Sequence, residues 1–350
     1  MKKKILVTFM ALAMSFSLCA CLDDEEYESS GENYNSDYSD YSDDTDDEEY
    51  DDNSESDDSD YSDYVSDEDY ESSDSSNNST DLESDGEAGD YDFPYDASLG
   101  TAKELDGNIA VVSLFANDHD TSWNSDSSED QEMEETIYKN LSIATDYLEN
   151  KCKEYGRDVN FIFDWNEYPE LAYNVSVDAN YEDIDNNGEY VDYAMWESIQ
   201  NEVPTKTVLE KTNATQIIYM AYFNTPDTCS ITSCTRNYYE GMPYPFEICY
   251  MFMKSDGEVE PPACFAHEML HTFGAVDLYS ASEYGVTQEY VDYVESTGLN
   301  DIMRVCEDPQ TGYYNYEAIN NEITDITAYY VGLTDSSETV DEWGFEQSQH

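Results

Sequence analysis

The chain has 350 residues, with 82 Asp and Glu against 13 Lys and Arg, for a formal net charge of −69. A field of that sign repels phosphate backbones and anionic headgroups, which excludes nucleic acid as a partner. The charge is unevenly spread. Residues 1–22 hold three lysines and no acid, residues 23–92 hold 32 acids and no Lys or Arg, and residues 93–350 hold 50 acids and 10 bases.

Lys2, Lys3 and Lys4 precede an apolar run from Ile5 to Leu18. A basic start and an apolar stretch of this length read as an export signal, not as a membrane span. The next residues, Leu18-Cys19-Ala20-Cys21, resemble a bacterial lipobox. The resemblance implies a signal peptide over 1–20, a lipid on Cys21, and a chain held on the extracytoplasmic side of a bacterial membrane by that lipid only. The alternative is an ordinary secretory signal. No later apolar run reaches the roughly 18 residues a span needs. In an exported chain the six remaining cysteines (Cys152, Cys229, Cys234, Cys249, Cys264 and Cys306) suggest disulfides.

Residues 23–92 are nearly all Asp, Glu, Ser, Tyr, Asn and Gly, with repeats such as Ser36-Asp37-Tyr38-Ser39-Asp40-Tyr41. With almost nothing aliphatic to bury and like charges in repulsion, the expectation is a disordered acidic tether over 21–104. A spacer role competes with a weak cation reservoir or a tyrosine-rich partner surface.

From about residue 105 the pattern changes, and a folded domain is expected over 105–335, followed by a flexible tail over 336–350. Residues 109–115 form an apolar run fit for a buried strand. Met133, Ile137, Leu141, Ala144 and Leu148 fall on one helical stripe, which Gly156 stops. Residues 159–163 read as a strand, 190–199 as a helix ending before Pro204, and 216–223 and 247–253 as further strands. Strands alternating with helices predict an α/β (α+β) fold with a largely parallel sheet.

Asp183-Ile184-Asp185-Asn186-Asn187-Gly188 matches the start of an EF-hand loop, with Asp183, Asp185 and Asn187 as oxygen ligands. The twelfth position is Ala194 rather than Glu, so Asp192 stands as the nearest fourth carboxylate for Ca2+. The competing reading is an Asn-Gly turn leading into a helix.

The chemistry concentrates in Cys264-Phe265-Ala266-His267-Glu268-Met269-Leu270-His271-Thr272-Phe273-Gly274-Ala275-Val276-Asp277. Two histidines four apart share one helix face, so their rings can converge on one Zn2+. Glu268 falls beside the metal, where the general base for a water belongs. Gly274 can end the helix in a left-handed conformation and let the chain return Asp277 as a third ligand. Three protein ligands leave a fourth position open, as catalytic sites require. The other two histidines are set apart: His119 is on a polar stretch and His350 is the last residue.

The complete HExxHxxGxxD pattern resembles the metzincin clan of zinc peptidases, and within it the snapalysin and immune inhibitor A-like enzymes with Asp as third ligand. Asn300-Asp301-Ile302-Met303-Arg304 is similar to the clan's Met-turn, with Met303 below the metal. Two residues on, where some members place a tyrosine, this chain has Val305. The resemblance implies a mixed sheet with backing helices, a zinc helix and a smaller irregular C-terminal part with a final helix, for which residues 323–333 qualify. It also implies an endopeptidase that hydrolyses proteins or peptides with a zinc-activated water and Glu268 as base; with the lipobox, the expectation is a lipid-anchored enzyme, taken as a monomer. The alternative is an adhesion or cation-binding lipoprotein whose zinc site is not catalytic.

Overall fold

The computed structural model describes residues 100–238, 244–282 and 285–345. The signal, Cys21, the tether up to residue 99 and residues 346–350 of the expected tail lie outside them. The strand β1 (Gly107–Asn117) is the axis of a six-stranded mixed sheet. One edge of β1 pairs in parallel with β4 (Gln216–Phe223), which pairs in parallel with β6 (Ile248–Phe252). The other edge is shared end to end. β2 (Val159–Ile162) takes residues 107–110, and β3 (Ala172–Ser176) takes residues 113–117, both in parallel. The sheet closes with β5 (Cys234–Arg236), a three-residue edge strand antiparallel to β6.

Alternation along each central strand divides the core into two layers. Ile109, Val111 and Phe115 of β1, with Ile218, Met220 and Tyr222 of β4, face one layer. Ala110, Val112 and Leu114, with Ile217, Tyr219 and Ala221, face the other. Successive side chains of a strand point to opposite faces, so a sheet covered on both sides reads as an unbroken apolar run. That is why β1, β4 and β6 are recognisable as strands without a polar alternation.

The first layer is closed by α1 (Ser128–Glu154), whose predicted stripe Met133, Ile137, Leu141, Ala144 and Leu148 is buried, and by α4 (Pro262–His271). Ser127 caps the start of α1, acids occupy its first turn and Lys151 and Lys153 its last, in keeping with the helix dipole. Gly156, at φ +77°, then turns the chain away. The second layer is covered by α2 (Ile184–Glu202) and α3 (Thr205–Thr212). Beyond β6, a hairpin of β7 (Lys254–Ser255) and β8 (Glu258–Val259) leads into α4. The C-terminal part holds α5 (Gln288–Thr297), α6 (Asp325–Tyr330) and α7 (Glu338–Trp343). Among the described residues, no helix is long and apolar enough to cross a membrane.

Two expected boundaries need correction. The ordered chain begins before residue 105, because Thr101, Ala102 and Leu105 are buried. Glu247 accepts from Thr101 N at 2.5 Å, Thr101 Oγ1 at 2.7 Å and Ala102 N at 2.8 Å, while Gln216 Oε1 accepts from Lys103 N and Glu104 N. The expected tail from 336 contains α7. Ser337 Oγ and Thr339 Oγ1 donate to Asp325, and Trp343 packs edge-on against Tyr290 with centroids 5.0 Å apart.

Glu247 is buried, and burial pushes its carboxyl up to about 7 against the hydrogen bonds that lower it. The folded state then keeps a proton that the unfolded chain has released, from about pH 4.5 to 7, so stability falls as pH rises through that window. Glu260, raised by burial to about 7, adds in the same direction. We predict that Glu247→Gln lessens the drop in melting temperature between about pH 5 and pH 8. An unchanged drop in thermal unfolding would show that Glu247 is not the group concerned.

Candidate metal centre

All ten residues of α4 are buried, so the helix is held on every side rather than by one stripe. It begins with Pro262 after Pro261, where a missing N–H costs nothing. It ends as the sequence predicts, with Gly274 at φ +97°. Gly274 N donates to His271 O at 2.9 Å and Ala275 N to Leu270 O at 3.2 Å, a Schellman closure. The reversal brings Asp277 back over the helix. Its Oδ1 lies 3.3 Å from His267 Nε2 and 3.2 Å from His271 Nε2, and the two Nε2 atoms are 3.1 Å apart.

The far side of each ring determines what these three atoms can do. His267 Nδ1 lies 2.9 Å from Ile302 O, and His271 Nδ1 lies 2.8 Å from Ala275 O. A carbonyl only accepts, so both Nδ1 atoms carry the proton. In neutral rings both Nε2 atoms then present lone pairs to each other and to a carboxylate oxygen. Three acceptors converging at 3.1–3.3 Å call for positive charge among them, from a proton on an imidazole or from a bound cation. A tetrahedral ion with bonds of about 2.0–2.1 Å places its ligand atoms about 3.3 Å apart, so the spacing fits a metal ion. The same demand for positive charge governs the titration of the site. Burial alone would lower His271, but the Asp277 charge and hydrogen bond, helped by Glu268, raise it to about 9. Burial alone would raise Asp277, and the two imidazoles instead hold it far below the usual carboxylate range.

Glu268 belongs to the same buried group, with ligand atoms of His267, Glu268 and His271 all within 4.8 Å. Asp277 Oδ1 is nonetheless the oxygen that lies within 3.3 Å of both rings, which makes it the better placed carboxylate to complete a three-ligand set, with Glu268 beside it. Thr235 of the edge strand donates to Glu268 Oε2 at 2.8 Å, with Glu268 O also within 3.0 Å. The Tyr279 ring lies nearly parallel to that of His267, with centroids 6.2 Å apart. Met303 is buried, and its turn reaches the site through backbone: Ile302 O receives His267, and Met303 O accepts from Leu278 N at 2.9 Å. An open hollow of about 490 Å³ between α1 and the β7–β8 hairpin shares none of these residues.

The structure does not gather the expected calcium ligands. Asp185 and Asn187 are exposed on the first turn of α2, and Asp183 caps the preceding 3-10 turn through Asn180 N. Asp192 turns inward, accepting from Tyr250 OH at 2.8 Å and Arg236 Nε at 3.3 Å. A Cβ on Gly188 would stand within 2.5 Å of Arg236 Nη2, so the guanidinium would have to shift. Disulfides are absent as well: none of the six cysteines forms one, and all are buried. Cys229 Sγ turns to Ile231 O at 3.7 Å instead of closing a loop with Cys234. Cys264 and Cys306 share a small apolar cluster with Ala263. His119 is exposed and pairs with Asp178, away from the site.

Sequence reasoning overlooked Thr235, Tyr279 and Asp301. Only Asp301 carried a signal, as an acid inside the Asn300–Arg304 turn. The geometry predicts that the full chain dialysed against Zn2+ keeps about one equivalent, and that Asp277→Ala keeps almost none. Equal metal content in the two, by atomic absorption, would remove Asp277 from the ligand set. No protein-family model matches the chain, and no curated protein or solved structure shows significant similarity to it.

Proposed function

We propose that the chain is a zinc-dependent endopeptidase of the metzincin kind, carried as a lipoprotein on the extracytoplasmic face of a bacterial membrane. The observation that carries this reading is the convergence of His267 Nε2, His271 Nε2 and Asp277 Oδ1 next to a buried glutamate that does not itself close the triangle. Imidazole and carboxylate donors in a three-ligand set suit zinc and leave one position for chemistry. A structural site has no use for a carboxylate held beside it. The signal-like start, the lipobox-like Cys21 and the acidic composition of residues 23–92 support a domain carried outside the cell on a lipid anchor.

A bound Zn2+ supplies Lewis acidity, polarising a scissile carbonyl and making a nearby water more acidic. The residues of the chain do the rest. Ile302 O and Ala275 O keep the two imidazoles in the tautomer that offers Nε2. Glu268, steadied at Oε2 by Thr235, accepts the proton of the attacking water and later delivers it to the leaving amine. β5 is the last strand of the sheet and carries Thr235. An extended peptide added to its outer edge would therefore pass beside Glu268.

Two outcomes test the reading. Glu268→Gln should retain zinc while losing about 10²–10⁴-fold in peptide hydrolysis; normal turnover by the zinc-loaded variant would reject the assigned base. A chelator should abolish cleavage of a generic protein substrate and added Zn2+ restore it, whereas bound zinc with no cleavage at all would favour the adhesion reading.

A further inference from the structure

Asp301 is fully buried in the turn preceding Met303, and every hydrogen bond described for its carboxylate points inward. Oδ1 accepts from Met303 N at 2.8 Å. Oδ2 accepts from Thr324 N at 2.9 Å, Thr324 Oγ1 at 2.5 Å and Thr327 Oγ1 at 2.8 Å. One oxygen thus grips the turn and the other grips the start of α6. Between them lies Ile302, whose N donates to Glu322 O at 2.9 Å and whose O receives His267 Nδ1. The next carbonyl, Met303 O, accepts from Leu278 N, the neighbour of Asp277. Two of the three converging side chains are therefore set by backbone whose position this carboxylate fixes.

We propose that Asp301 is a positioning residue for the metal centre: it locks the turn carbonyls at 302 and 303 so that His267 and Asp277 meet His271 at ligand spacing. The role rests on the metal reading above. Outer groups that orient ligands typically change metal affinity by about 10–100-fold when removed. Asp301→Asn is a directed perturbation. An NH2 replaces one of the two carboxylate oxygens and cannot accept, so the brace between the turn and the start of α6 loses an acceptor at one end.

The test is Co2+ titration of the full chain, read by visible absorption, which reports ligand geometry without any turnover. Asp301→Asn should bind Co2+ about 10-fold or more weakly and shift the absorption band. Val112→Ala, in the layer across the sheet, serves as a control at a temperature that matches the fraction folded, and should change neither. An Asp301→Asn protein that is folded, with wild-type affinity and band, overturns the proposal, as does an equal change in Val112→Ala. If Asp301→Asn does not fold, Thr324→Val, which removes one donor from Oδ2, should weaken Co2+ binding several-fold, and unchanged affinity there overturns the proposal. Wild-type chain that binds no Co2+, or binds it equally well as His271→Ala, overturns the metal reading and this role together.

Discussion

Three acceptor atoms meet in the interior of this protein, and that fact constrains the rest of the structure. Nε2 of His267, Nε2 of His271 and Oδ1 of Asp277 stand within 3.3 Å of one another, with both imidazole protons committed to backbone carbonyls on the far side. Lone pairs at that distance repel unless a proton or a cation lies among them. Holding them there takes rigid elements on every side. α4 supplies the histidines and is buried along its whole length, the Schellman closure at Gly274 supplies the return path, and the turn at 301–303 supplies the carbonyl that orients His267.

The sheet positions this assembly indirectly. β6 and β5 form its far edge, and Thr235 on β5 reaches Glu268 in the middle of α4. Glu268 is thus tied to the sheet, while His267 and Asp277 are tied to the C-terminal part through Ile302 and Met303. Two halves of the domain meet at one helix, each determining a different group. Asn140 of α1 adds a third tie, donating to Glu260 O at 2.8 Å just ahead of that helix.

Much of this was legible in the amino-acid sequence, for a physical reason. β1, β4 and β6 are covered on both faces and therefore read as apolar runs, and the α1 stripe follows the helical period. The cluster of His267, Glu268, His271 and Asp277 was legible because one helix and one glycine turn carry all four within eleven residues. What was hidden depends on partners far along the chain. β5 is three residues of ordinary composition that become a strand only against β6, and Thr235 meets Glu268 33 residues away. The anchoring of Thr101 depends on Glu247, 146 residues on. Asp192 looked like a calcium ligand because local spacing cannot reveal that Arg236 and Tyr250 wait for it.

The charge imbalance makes the metal site stand out further. With 50 acids and 10 bases after residue 92, buried carboxylates cannot all find cations. Asp192 takes Arg236, but Glu247 and Asp301 are satisfied by backbone N–H and hydroxyl donors. Those donors lower both carboxyls, but burial outweighs them and leaves each raised, which makes a proton easier to keep inside a strongly acidic chain. Asp277 is handled differently. Its Oδ1 is directed at two ring nitrogens whose protons are already engaged elsewhere. In a protein this poor in bases, the positive charge that carboxylate needs has to come from a bound ion or from protonation of an imidazole. Of these, a metal ion satisfies all three acceptors at once, whereas a single proton on one ring can bridge only one pair.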